Sequence, residues 1–125
     1  MLKFFKCNNE GIVIPVTKCF TNDFSFEGVQ EITPNEVEAS VEKHKPVVTV
    51  SEETVTVNVG NVAHPMTEEH AITTIILETQ TGGQYRYLPH DSEPVVQFRL
   101  AKGEKALAAY AYCNLHGLWK AEIDS

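Results

Sequence analysis

Polar and apolar positions alternate most clearly in residues 54–59, where Val55, Val57 and Val59 are separated by Thr56 and Asn58. A period of two marks a strand buried on one face. Residues 47–50 form a compact β-branched run, and 71–79 carries Ile72, Ile75, Ile76 and Leu77 with three threonines. That stretch is too β-branched to favour a helix. Thr81-Gly82-Gly83 marks a turn, and 84–88 follows with Tyr85 and Tyr87 on one face. Residues 95–100 come next, then Lys102-Gly103-Glu104 as a second turn. Residues 105–112 are ambiguous: their alanines favour a helix in isolation, while their place in a run of hairpins favours a strand. Residues 119–123 close the chain. About seven short strands with turns at this spacing predict an all-β fold, an antiparallel β-sandwich, with a small barrel as the alternative.

Ahead of this pattern, residues 1–33 read as irregular, with short apolar runs at 2–5 and 12–16. Thr33-Pro34-Asn35-Glu36 reads as a helix start, with Thr33 as the cap, Pro34 first in the helix and Glu36 closing a capping box. The helix is expected to end by about Lys43, because Lys45 precedes Pro46 and is pushed toward extended geometry. There is no internal repeat, low-complexity stretch or heptad pattern. The expected organisation is a short N-terminal segment, 1–33, and a principal domain, 34–125.

A chain of 125 residues, 42% hydrophobic, suits a single core. No apolar run approaches the roughly 20 residues that cross a bilayer. The start, Met1-Leu2-Lys3-Phe4-Phe5-Lys6-Cys7, lacks the features of a secretory signal. A soluble, cytoplasmic protein is therefore expected. The formal net charge of −7, with ten scattered basic residues, argues against nucleic acid and anionic membranes as partners. To handle a small anion, such a chain needs a local positive centre, which a metal ion could supply.

Five histidines, His44, His64, His70, His90 and His116, and three cysteines, Cys7, Cys19 and Cys113, are the candidate chemistry. An odd cysteine count in a cytosolic chain argues against a disulfide framework. Cys7 and Cys19 read as small buried hydrophobes. His44 precedes a predicted strand, His64 and His70 share one inter-strand loop, and His116 sits with Cys113 in Cys113-Asn114-Leu115-His116-Gly117 before the last strand. Loops at one end of a sandwich can converge while the sheets hold them rigid, as a metal site requires. His90, in the polar turn Pro89-His90-Asp91-Ser92, is expected to be exposed and outside the site.

One thiolate with up to four imidazoles is too many ligands for a closed tetrahedral zinc. Blue copper is the runner-up, since Tyr-Cys-x-x-His on a sandwich resembles a cupredoxin loop. Such loops end in an axial methionine, and here Gly117, Leu118 and Trp119 follow. Iron accommodates five ligands and leaves a sixth position open. A thiolate opposite that position pushes electron density toward whatever binds there. The site reads as redox rather than structural.

Glu42-Lys43-His44-x-Pro46, Ala63-His64-Pro65-Met66 with Glu69-His70, and Tyr112-Cys113-Asn114-Leu115-His116-Gly117-x-Trp119 together resemble the superoxide reductases, the desulfoferrodoxin and neelaredoxin group. The resemblance runs from about residue 32 to residue 121. It implies a seven-stranded immunoglobulin-like sandwich and a mononuclear iron (Fe2+/Fe3+). His44, His64, His70 and His116 are expected around a square, with the Cys113 sulfur axial. It further implies reduction of superoxide to hydrogen peroxide, with rubredoxin as the external electron donor. Lys43 draws superoxide to the open site, and Glu42 occupies that site in the resting ferric state. Two-iron members carry an N-terminal four-cysteine iron centre beginning Cys-x-x-Cys-Gly. Here Cys7-Asn8-Asn9-Glu10-Gly11 has Glu10 in place of the second cysteine, and only Cys19 remains elsewhere in the segment. Residues 1–33 are then expected to be a packing or dimer-forming domain without metal.

Overall fold

A computed structural model of the chain describes residues 2–7, 11–17, 29–35, 44–60 and 65–123, the Cys7 side chain excepted. The chain divides into two compact units, Met1–Thr33 and Pro34–Ser125. The first holds a small antiparallel sheet in the order β2-β1-β3, built from β1 (Phe4–Cys7), β2 (Ile12–Val13) and β3 (Val29–Ile32). The irregular reading of residues 1–33 is thereby corrected. These strands are too short to show a period, and β1 pairs with β3 across a long connection, which no local pattern reveals.

In its described residues the second unit is an immunoglobulin-like antiparallel sandwich of seven strands. They are β4 (Pro46–Ser51), β5 (Thr54–Val59), β6 (Ile72–Thr79), β7 (Gly82–Tyr87), β8 (Val95–Arg99), β9 (Ala106–Cys113) and β10 (Gly117–Glu122). One sheet runs β10-β9-β6-β7 and the other β4-β5-β8. Val55, Val57 and Val59 of β5 and Phe98 of β8 pack in one buried cluster with Ile72, Ile75 and Leu77 of β6 and Ala109, Ala111 and Cys113 of β9. The alternation read in residues 54–59 is the inward face of β5.

The ambiguous segment 105–112 is a strand, β9. It lies between β6 and β10, so hydrogen bonding on both flanks overrides the helical preference of its alanines. Ala108, Ala109 and Ala111 are all buried. In β6, five consecutive residues from Ile75 to Thr79 are buried, so both of its faces are covered and the alternation disappears.

The helix start at Thr33 also needs correction. Asn35, where the pattern predicts the first helical turn, has φ 68°, a left-handed conformation that asparagine tolerates better than most residues. Its backbone N–H donates to the Leu118 carbonyl (2.9 Å), its Oδ1 accepts from the Lys120 N–H (2.8 Å), and its Nδ2 donates to the Lys120 carbonyl (3.3 Å). Asn35 thus closes part of the free edge of β10, a device that protects sheet edges. The remainder of the expected helix, residues 36–43, lies outside the described residues. No helix among the described residues is long and apolar enough to cross a membrane.

Candidate metal centre

The strand ends decide what can meet. β9 ends at Cys113, and β10 begins at Gly117, which pairs back to it. The three residues between form a hairpin turn that Gly117 completes with φ 80°. Cys113 also pairs with Ile72 at the start of β6, which brings His70 to the same end of the sheet. His44 lies just ahead of β4, whose first residue pairs with the last of β5, Val59. The Gly60 N–H donates to the Lys45 carbonyl (2.9 Å) and fixes that corner.

His44, His70, Cys113 and His116 consequently converge, with one ligand atom from each within 4.8 Å of all the others. His44 is 2% exposed and Cys113 fully buried, while His70 and His116 are half-buried. The Nε2 of His44 stands 3.0 Å from the Nδ1 of His116, and that Nδ1 lies 3.9 Å from the Cys113 sulfur. Two nitrogens at right angles around one ion, each bonded at about 2.1 Å, stand about 3.0 Å apart, and opposite ones about 4.2 Å. The cluster has the dimensions of a metal site.

The ring planes give its shape. The His116 ring is nearly perpendicular to those of His44 (86°, centroids 4.8 Å) and His70 (76°, 5.0 Å). His44 and His70 are closer to parallel (27°) and farther apart (6.4 Å). This is the arrangement of two opposite ligands with a third between them. Burial pushes the Cys113 thiol above its ordinary pKa, opposed by the backbone amides of Leu115 and His116 that point at the sulfur. A cation would draw the proton off. The donor set of imidazole nitrogens and one thiolate suits a first-row transition metal rather than calcium or magnesium.

Of the residues expected at the site, these four come together. Glu42, Lys43 and His64 lie outside the described residues. His90 is exposed, in a turn after β7. The sequence reading gave Trp119 no role, yet its ring stacks on His44 (22°, 5.0 Å) and its indole N–H donates to the His116 carbonyl (3.1 Å). Its place just after His116, as the chain's single tryptophan, is the signal that could have found it. A groove of about 400 Å³ between β4 and β10 is lined by none of these four residues. Its one ionisable lining residue, Glu122, pairs with Lys120 (3.0 Å), so the chemistry does not lie there.

Comparison with known proteins follows the same outline. The desulfoferrodoxin family model matches residues 36–122. The chain is 41% identical over 124 residues to the desulfoferrodoxin of Clostridium acetobutylicum, covering 98% of this chain and 97% of that one. It is 37% identical over 100 residues to the superoxide reductase of Pyrococcus horikoshii, covering 66% and 86%. Among solved structures, it resembles the superoxide reductase from Treponema pallidum with a TM-score of 0.80 and 36% identity, covering 98% of both chains. The superoxide reductase from Giardia intestinalis aligns with a TM-score of 0.58 and 37% identity, covering 67% of this chain and 99% of that one. Since the matched span holds the ligand cluster and the sandwich that positions it, the chain belongs to the desulfoferrodoxin family, the family of the superoxide reductases.

Proposed function

We propose that the chain is a superoxide reductase with one mononuclear iron held by His44, His70, His116 and Cys113, and by His64 as the fourth imidazole. The observation that carries this reading is the convergence of the three histidines and the cysteine within 4.8 Å. His64 is the remaining histidine of the family motif. Bound there, iron supplies a one-electron couple and a local positive charge in a chain whose net charge is −7.

The reaction balances as superoxide plus one electron and two protons giving hydrogen peroxide. The electron comes from an external carrier, for which the family resemblance suggests rubredoxin, and the protons come from solvent. The burial of Cys113 closes the sulfur to a small anion, while His70 and His116 each keep part of their surface exposed. Lys43, adjacent to His44 in sequence, supplies the positive charge that draws superoxide. Steering of this kind raises association by roughly 10–1,000-fold. By the same resemblance, its neighbour Glu42 would be the carboxylate that closes the site between turnovers.

The test is stoichiometric. Iron-loaded protein with a continuous reductant is exposed to a superoxide flux, and peroxide and oxygen are measured together. A reductase yields one peroxide per superoxide and no oxygen. Oxygen release in step with peroxide would reveal a dismutase, and an unchanged superoxide decay would reduce the site to a metal store or electron carrier.

A further inference from the structure

His70 stands two residues ahead of β6, in the loop that leads into that strand. Its local turn is tied by Thr67. The Thr67 N–H donates to the His70 carbonyl (2.9 Å), and the His70 N–H donates to Thr67 Oγ1 (3.1 Å). Those bonds lie within the turn itself. Asn114, in the turn after Cys113, ties it to the sheet. Its Oδ1 accepts from the Ala71 N–H (3.0 Å), its Nδ2 donates to the Glu69 carbonyl (3.1 Å), and its backbone N–H donates to the Ala71 carbonyl (3.2 Å). One side-chain amide thus holds the peptide groups on both sides of His70.

The geometry points to Asn114 as a positioning residue that sets His70 against Cys113 and His116. Turn formation does not account for the asparagine. The left-handed position of this hairpin is Gly117, and Asn114 is not among the residues with positive φ. Its amide acts instead as a strand would. It extends the pairing of Ile72 with Cys113 by one further step, on the side away from the register shift between Ile72 and Thr74. Both functions of the amide are needed, because one neighbour of His70 offers a donor and the other an acceptor. Aspartate keeps the acceptor and loses the donor; alanine loses both. Groups that orient metal ligands from behind typically change metal affinity or activity by about 10–100-fold when removed.

This inference rests on the proposed metal centre, and the experiment separates the two. Asn114→Ala and Asn114→Asp are compared with the natural protein in two measurements. In metal-free protein, amide hydrogen exchange at Ala71 is expected to speed up by roughly 2–10-fold in Asn114→Ala and to change less in Asn114→Asp. With ferrous iron alone, chelator competition is expected to show affinity about 10–100-fold weaker in Asn114→Ala, with the aspartate variant between. The thiolate absorption band should persist after oxidation, since Cys113 is intact. Failure of the natural protein to bind iron would defeat the metal-centre reading, while the exchange data would still judge Asn114. Equal affinities and equal exchange in the natural protein and Asn114→Ala would overturn the positioning role and leave the metal centre standing.

Discussion

Trp119 shows how much one side chain can settle near a reactive site. Stacked on His44 and bonded to the His116 carbonyl, it restrains two members of the cluster that are 72 residues apart. Trp119→Phe keeps a ring against His44 but removes the indole donor. The expected cost is about 0.5–1.5 kcal/mol of stability, read from the denaturant midpoint, with weaker metal retention in a chelator competition. As the single tryptophan, Trp119 also reports on the site: metal loading is expected to quench its emission. Unchanged fluorescence on loading would place the ion elsewhere. Another residue-scale feature is the Tyr110 hydroxyl, which donates to the buried Glu78 carboxylate (2.7 Å). Burial, followed by the bond to Glu78 and that group's charge, pushes the tyrosine pKa far up, so it stays a neutral donor.

At the scale of elements, the β6–β7 hairpin and the turn that crosses from β8 to β9 are pinned together by one carboxylate. Glu104 accepts from the hydroxyls of Thr81 (2.6 Å) and Thr79 (2.8 Å) and from the Ala101 N–H (3.1 Å), and these bonds lower its pKa, Thr81 first. A depressed carboxylate pKa contributes stability above the unfolded-state value, and that contribution is lost as pH falls through the folded-state value. Glu104→Gln should therefore flatten the acid limb of a stability–pH profile, and an unaltered limb would show that the bonds do not favour the charged form. β9 makes the opposite demand, for small size. Ala109→Leu should cost about 1–3 kcal/mol by overpacking a fully buried position. Leu107→Ala, on the exposed side of the same strand, should change the unfolding midpoint little. The strand at β5 was legible because one face alternates, whereas β9 was not, because alanine carries little preference for either face.

For the whole molecule, the boundary between Thr33 and Pro34 separates the small sheet from the unit that carries His44, His70, Cys113 and His116. The family match starts at residue 36, and the alignment with the Giardia intestinalis protein covers 99% of that chain but 67% of this one. Residues 34–125 expressed alone are accordingly expected to fold and to bind one metal ion per chain. Elemental analysis of the purified fragment checks this, and loss of metal from a folded fragment would assign part of the site to residues 1–33.

The sequence by itself determined the kinds of groups available and most of the strands in the second unit. Valine alternation, β-branched runs and glycine turns act over a few residues, within reach of local reading. The residue types and spacing of Cys113 and His116, and the loop positions of His44 and His70, were equally plain. Only the tertiary structure decided that those side chains share a point, that 105–112 is a strand, and that Asn35 serves a sheet edge rather than a helix start. Each of these depends on pairing between segments far apart in the chain. Such pairings have no local periodicity, and their energies appear only once the partner strand is in place.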